Sequence, residues 1–454
     1  SFVAPEFFPR LARLKDNSPR VKYPNQLSGL VPAPEAKDYF FDGSTGVFQN
    51  RDSSDVWIYP TMRRGGRMIY AFKVTPNDTK PVFKWRAGCP NLSNDSDCTA
   101  DMSGIGQTWS IPSVAFIKGY STTRPVVVVG GGYENCEDLN QKDPACGAKG
   151  GFVYLLDGFT GTVIRKFATA RGVAADVALV DIDNDGFPDY AYAADLGGSL
   201  YRVDFIKDPG TRATLESSDW KFREVAYTRG GGRKFIFSPA LLYSNNKVYV
   251  AIGSGDREHP LQSHYPYADV VNRFYVYKDD LSAAESAAAR SLDTMENYTS
   301  SSACTTAPVL PDSALSGWFM DLNQYGQGEQ VVTTALIAGG MVTFSTNRPV
   351  PATADTCATA LGQARGYWVN LLNASGGVGV AGSCGGKRSG VFIGGGLPPS
   401  PVMASSVPID GKSVSVVIGA VQKDDLPSAA ISPQRVRPSI TFRRKRAYNY
   451  TSGD

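Results

Sequence analysis

The chain has 454 residues, and its 46 basic against 43 acidic side chains leave a formal charge of +3, which excludes a nucleic acid or anionic membrane partner recruited by charge alone. Its 47 Gly, 29 Pro, 22 Tyr and 22 Phe demand many turns and many half-buried strands, which points to an all-β chain. No apolar run approaches the roughly 20 residues of a membrane-spanning helix, and the start, Ser1-Phe2-Val3-Ala4-Pro5, lacks the basic beginning and apolar core of a signal peptide, as in a processed or excised chain.

Taken in chain order, a recurring unit emerges: an apolar run, small glycine-rich residues, then an alternating strand that often ends in Asp. GGRMIYAFKV at 65–74 is the first instance. Cys89 and Cys98 then flank the polar stretch PNLSNDSD, and Cys136 and Cys146 flank EDLNQKDPA. Each pair reads as a disulfide that staples a loop, since zinc sites favour CxxC spacing, and an oxidising compartment follows. That second loop lies between VVVVGGGY and GGFVYLLD, which together make the unit at 126–157. The stretches DGSTG (42–46) and DGFTG (157–161) carry hairpin-turn chemistry. YAYAADLGGSLYRVD compresses the unit into 190–204, and VYVAIGSGD (248–256) with NRFYVYKDD (272–280) repeats it. LSAAESAAAR, at 281–290, is the one short helix expected, on an insertion spanning 281–316. ALIAGGMVTFST (335–346), RGYWVNLLN (365–373) and SVSVVIGA (413–420) complete the series. Of the three remaining cysteines, Cys357 and Cys384 bracket a glycine-rich region and are paired in this reading; Cys304 is then odd, and a Cys304–Cys357 bond is the rival. FRRKR, with Arg443 to Arg446, reads as a solvated edge or tail.

Short alternating strands in repeats of roughly 40 to 60 residues are what a β-propeller requires, because a four-stranded blade cannot bury both faces until neighbours stack around it. Six units are clear and seven blades are expected, in a single modified propeller covering 1–454 with 1–37 and 421–454 as closing segments. The Trp57, Trp85, Trp109, Trp220, Trp318 and Trp368 side chains are spread over the units, which suits packing between blades better than a sugar platform.

The stretch DIDNDGFPD at 181–189 stands apart. Asp181, Asp183 and Asp185 occupy positions 1, 3 and 5 of a calcium-type loop, Gly186 permits the sharp turn, Phe187 can offer its backbone carbonyl, and Asp189 closes the site. Tyr192 replaces the Glu of an EF-hand and the flanks are strand-like, so this is a short loop between β-strands. Asn-Asp-Gly also makes an ordinary hairpin turn, but four carboxylates on one turn repel one another unless a cation sits among them. Ca²⁺ is therefore the expected cofactor, ordering the loop and the strands it joins. The only histidines, His259 and His264, lie in a polar loop, GDREHPLQSHYP, and leave almost no material for a His-based zinc site or a catalytic triad. No catalytic residue is expected.

The runs DVWIYPTMRRGGRMIYAFKVT (55–75), VDIDNDGFPDYAYAADLGGSLYRVDF (180–205) and IGSGDREHP (252–260) resemble the C-terminal domain of the PilC/PilY proteins, adhesins of type IV pilus tips. The resemblance spans about 38–420 and is most specific at the Asp-rich loop and its following strand. It implies a calcium-bearing modified propeller exported through the periplasm of a Gram-negative bacterium, extracellular at the pilus tip or associated with the outer membrane. Carried across residue by residue, the ligands are Asp181, Asp183, Asp185, the Phe187 carbonyl and Asp189. The implied partners are minor pilins at the pilus tip, a host-cell receptor and the N-terminal region of the same protein. The implied roles are pilus assembly, opposition to retraction, twitching motility and host-cell adhesion in virulence. Residues 255–257 read Gly-Asp-Arg, so the Arg-Gly-Asp tripeptide of some members is missing. The rival expectation is an enzyme, a pyrroloquinoline-quinone dehydrogenase propeller; dispersed cysteines and one contiguous acidic loop favour the binding protein.

Overall fold

The computed structural model describes residues 2–22, 32–50, 53–75, 80–142, 144–146, 149–300, 316–350, 362–378, 386–392, 395–409, 411–421 and 432–435. Six mainly antiparallel sheets follow one another along the chain. The first holds Thr45–Gln49, Val56–Pro60, Arg67–Val74 and Val82–Cys89, and the second Ser113–Ile117, Ser121–Gly130, Phe152–Asp157 and Val163–Ala168. The third comprises Ala178–Val180, Tyr190–Ala194, Ser199–Asp204 and Lys221–Tyr227 with Arg290–Ser291 at its edge, and the fourth Ala240–Ser244, Lys247–Gly253, Arg273–Asp280 and Gly317–Asp321 with Glu296–Asn297 at its edge. Gln330–Val331, Leu336–Ala338, Met341–Arg348, Gln363–Asn370 and Ser389–Val391 form the fifth, and Val402–Ile409, Lys412–Val421 and Ser432–Arg435 the sixth. Every recurring unit of the sequence falls in one of these sheets. No seventh sheet is present among the described residues.

Period-two alternation explains how the sheets stack. In the second sheet Val127 and Val129 join Trp57, Tyr59 and Trp85 of the first in one buried cluster, while Val126 and Val128 join Ala191, Ala193 and Tyr201 of the third in another. In the third sheet the intervening residues Tyr190, Tyr192 and Ala194 turn the other way, onto Val248, Val250 and Tyr275 of the fourth. Phe274 of the fourth sheet then stacks on Phe344 of the fifth with ring centroids 3.7 Å apart. Strands with both faces apolar are the signature of sheets covered on both sides. First strands touch in succession, Thr45–Gln49 on Ser113–Ile117, Ala178–Val180 on Ala240–Ser244, and Ala240–Ser244 on Leu336–Ala338, which places them innermost around a common axis. All six tryptophans are buried, as packing between blades requires.

Both expected loop staples are present, Cys89–Cys98 and Cys136–Cys146. Cys304, Cys357, Cys384 and the FRRKR run lie outside the described residues. DGFTG turns between two strands as expected, with the Asp157 carboxylate accepting the N–H groups of Phe159 and Thr160 at 2.9 and 2.8 Å. DGSTG instead leads into the first strand, with no partner strand before it among the described residues.

The helix expectation at 281–290 is overturned. LSAAESAAAR runs through turns to Arg290–Ser291, which pairs parallel with Ala226 and Tyr227 at the edge of the third sheet. So short a segment nucleates poorly without an apolar stripe to bury, and here Arg223 draws off the carbonyls of Ala284 and Glu285 at 2.9 and 3.3 Å. The α-helix lies near the start, at Phe8–Asp16. It is anchored by Ala4 and Phe7, which bury against Met62, Met68 and Tyr70 on the face of the first sheet turned away from the second. Arg10 fastens it further, donating to the carbonyls of Tyr39 and Gly65 at 2.8 Å each. No helix among the described residues is long and apolar enough to cross a membrane.

Asp176 ties the crossover between the second and third sheets to the entry of the second, accepting the Ile111 N–H at 2.6 Å. Burial pushes its carboxyl up to about 6 from the usual 3.8, against that hydrogen bond. A folded-state value above the unfolded one means that ionisation costs stability: the protonated form is favoured on folding, and the advantage is lost as pH rises from about 4 through 6. Asp176→Asn keeps the acceptor and removes the charge. It should stabilise the chain by about 2–3 kcal/mol above pH 7, with the gap closing toward pH 4, as read by denaturant unfolding at several pH values; a pH-independent gap would refute the assignment.

Candidate metal centre

The Asp-rich stretch closes the hairpin between Ala178–Val180 and Tyr190–Ala194, with Val180 opposite Tyr190. Its own first carboxylate folds it. Asp181 Oδ1 accepts the N–H groups of Asp183, Asn184 and Asp185 at 3.2, 2.7 and 3.3 Å, and Oδ2 accepts that of Gly186 at 2.7 Å. Asn184 (φ 59°) and Gly186 (φ 92°) supply the positive-φ conformations that let the chain wrap around one side chain.

Asp181, Asp183 and Asp189 each place a carboxylate oxygen within 4.8 Å of the others. Asp189 is the buried member, 7 % exposed, with Oδ2 accepting the Ile182 N–H at 2.9 Å. Burial pushes its carboxyl up to about 6; the Ile182 bond opposes the rise, and the charges of Asp183, Asp181 and Asp185 add to it. The group is thus a convergent set of hard oxygen donors whose mutual repulsion a cation would relieve.

Asp185 departs from the expected set. Lys118, in the turn between the first two strands of the second sheet, holds its Oδ2 and keeps its carboxyl below the usual range. The same ammonium sits 5.1 Å from the centre of the Phe187 ring, while the Phe187 carbonyl accepts no hydrogen bond among the described residues. A second cation, Arg212, lies 3.3 Å from Asp183 Oδ2. Lys118 is 67 residues from Asp185 in the chain, so nothing in the spacing of the loop could have revealed it. The structure therefore brings together three of the four carboxylates and engages the fourth with a competing ammonium.

A family profile described as the PilY1 beta-propeller domain matches residues 29–228. The chain is 31 % identical over 205 residues to the type IV pilus biogenesis factor PilY1 of Pseudomonas aeruginosa strain UCBPP-PA14, a stretch covering 42 % of this chain and 15 % of that protein. The PilY1 homolog of Xylella fastidiosa is 24 % identical over 399 residues, covering 77 % of this chain and 24 % of its own length. The crystal structure of the Pseudomonas aeruginosa PilY1 C-terminal domain superposes with a TM-score of 0.60 at 19 % identity, over 88 % of this chain and 85 % of that one. Over residues 29–228 the chain is therefore similar to the PilY1 beta-propeller domain. It spans less than a third of the length of these curated relatives, and the superposition establishes a shared fold.

On the other side of the sheets the segment GDREHP, at 255–260, folds into a buried ionic network. Lys234, 5 % exposed, lies 3.0 Å from Glu137 Oε2 and 2.9 Å from Asp256 Oδ2. His259 meets the same Asp256 oxygen at 2.9 Å and the Asp138 carbonyl at 3.1 Å, so this histidine serves loop hydrogen bonding as its sequence context implied. Arg64 of the first sheet's connecting turn bridges Asp138 and Glu258 at 2.9 and 2.8 Å. The network welds the Cys136–Cys146 loop to the fourth sheet. Removing the central cation while leaving its buried carboxylates is costly: Lys234→Met should lower unfolding stability by about 3 kcal/mol, measured by urea denaturation, and a loss below about 1 kcal/mol would show that the carboxylates do not depend on it.

Proposed function

We propose that this chain is the calcium-binding propeller of a type IV pilus biogenesis protein, acting as a non-enzymatic binding module. The observation that carries the metal half is the convergence of Asp181, Asp183 and buried Asp189 on a loop wrapped by positive-φ residues. The pilus half is supported by the match of residues 29–228 to the PilY1 beta-propeller profile and by relatives that bear the name of type IV pilus biogenesis factors. Asp181, Asp183 and Asp189 would hold Ca²⁺, with the Phe187 carbonyl and Asp185 completing the shell once Asp185 is released from Lys118. Bound calcium supplies the positive charge that three clustered carboxylates lack.

Exchange of Lys118 for a cation gives the loop two arrangements, one pinned to the second sheet and one closed on itself. A ligand shifts such an equilibrium only through its differential affinity for the two. In this reading calcium occupancy sets the loop, and the loop biases the balance between pilus extension and retraction. It acts on the pilus outside the cell, through minor pilins at the tip and the N-terminal region of the same protein, and it supports twitching motility and attachment to a host-cell receptor.

Calorimetric titration with Ca²⁺ is the decisive experiment. Binding to one site should raise stability by about 2.7 kcal/mol at a free concentration 100-fold above Kd, and chelation should reverse it. Asp181→Ala or Asp189→Ala should abolish binding in a folded chain. Lys118→Ala, by freeing Asp185, should tighten it several-fold. Unchanged affinity in the Asp variants would refute the ligand set. Dye-linked alcohol oxidation after addition of pyrroloquinoline quinone would replace this reading with the quinoprotein one.

A further inference from the structure

At the end of strand Tyr190–Ala194 that carries Asp189, a cavity of about 610 Å³ opens between the third and fourth sheets. Its size falls in the range of small-molecule sites. One wall is the third sheet with its 207–215 loop. The opposite wall is the segment Leu281–Glu285, the start of the insertion expected to be helical. That wall is held in place by Arg223, through the Ala284 and Glu285 carbonyls, and by Lys221, 3.5 Å from Glu285.

Most polar groups around the cavity are answered from within the protein. Arg202 is neutralised by Asp204 and by Asp279, the latter at 2.7 Å. Asp208 is satisfied by its own turn, accepting the N–H groups of Gly210 and Thr211 at 3.0 and 2.7 Å and the Thr211 hydroxyl at 2.5 Å. Among the groups not answered are three that matter here. Tyr190 is 2 % exposed, yet its hydroxyl makes no hydrogen bond among the described residues. The Lys207 ammonium makes no hydrogen bond or ion pair there either. Arg223 has no carboxylate within ion-pair distance among the described residues, Asp204 acting on it only from farther off, and its buried Nε has no acceptor.

Two cations that make no ion pair and a free hydroxyl select a ligand that brings a carboxylate together with hydroxyl groups, held clear of the lining carboxylates Asp204 and Asp208. Such a ligand answers the buried Arg223 Nε, whose loneliness otherwise costs free energy, and meets the exposed Lys207 ammonium. The polar lining disfavours an apolar ligand, and the volume disfavours a folded protein surface. We infer that this cavity is a binding site for an acidic sugar, a uronic or sialic acid unit, with Lys207 and Arg223 taking the carboxylate and Tyr190 a ring hydroxyl. The inference stands apart from the calcium reading, since none of these three groups belongs to the proposed metal shell.

The test is a saturation-transfer and calorimetric titration of the whole chain, in calcium-containing buffer, with galacturonate, N-acetylneuraminate, galactose and inorganic phosphate. At least one of the two acidic sugars should bind saturably, with galactose weaker by at least about tenfold, as loss of a charge-assisted contact implies. Lys207→Ala, which removes no side-chain hydrogen bond or ion pair among the described residues, should weaken that binding about tenfold. Ala283→Trp should abolish it by filling the cavity, and circular dichroism should show both variants folded. The inference is overturned by failure of both acidic sugars to bind, by equal binding of galactose, by unchanged affinity in folded Lys207→Ala, or by phosphate binding as tightly as the sugars, which would make this a plain anion site.

Discussion

The second to fifth sheets each have two apolar faces and cannot be buried alone. A single strand such as Tyr190–Ala194 sends Tyr190, Tyr192 and Ala194 to one neighbour and Ala191 and Ala193 to the other, so removing either neighbour would expose a full face. The stack is the smallest arrangement that satisfies all of them at once. Bury-both-faces stacking also explains the ends. At the first sheet, the face without a neighbouring blade is covered by Ala4 and Phe7, which carry the helix Phe8–Asp16 into place. At the other end Val417 of the sixth sheet seals Trp368 and Met341 of the fifth.

Stacking leaves the polar chemistry to the loops, and the two ends of the strands use it differently. On the side of the acidic loop, three carboxylates converge on one hairpin, and the cations that meet them, Lys118 from the adjacent sheet and Arg212, are exposed. On the GDREHP side, charges are numerous but paired, with Lys234 between Glu137 and Asp256 and Arg64 between Asp138 and Glu258. The paired side acts as a clasp between sheets, because buried ions tolerate little rearrangement. The side of the acidic loop is where a ligand can change the energy of the protein. Asp189 and Tyr190 are consecutive residues, so the proposed metal shell and the floor of the proposed sugar cavity share one stretch of backbone.

The repeat pattern made most of the fold legible. Each glycine-punctuated unit became a sheet, and the loop staples followed from cysteines bounding polar stretches. Failures came where local composition competes with distant partners. Alanine content at 281–290 argued for a helix, yet Arg223 claimed its carbonyls and the edge of the third sheet claimed Arg290–Ser291. Asp185 belonged to the expected ligand spacing, yet an ammonium from another sheet had taken its side chain.

By itself the sequence determined the periodicity, the blades, the two staples and the acidic loop, because all of these arise from residues near one another in the chain, where spacing fixes geometry. Only the tertiary structure decided which charges meet. Lys118 with Asp185, Lys234 with Glu137 and Asp256, and the lone groups Tyr190, Lys207 and Arg223 around one cavity are set by which sheet stacks on which. Spacing along one strand carries no record of the neighbour that stacking will bring.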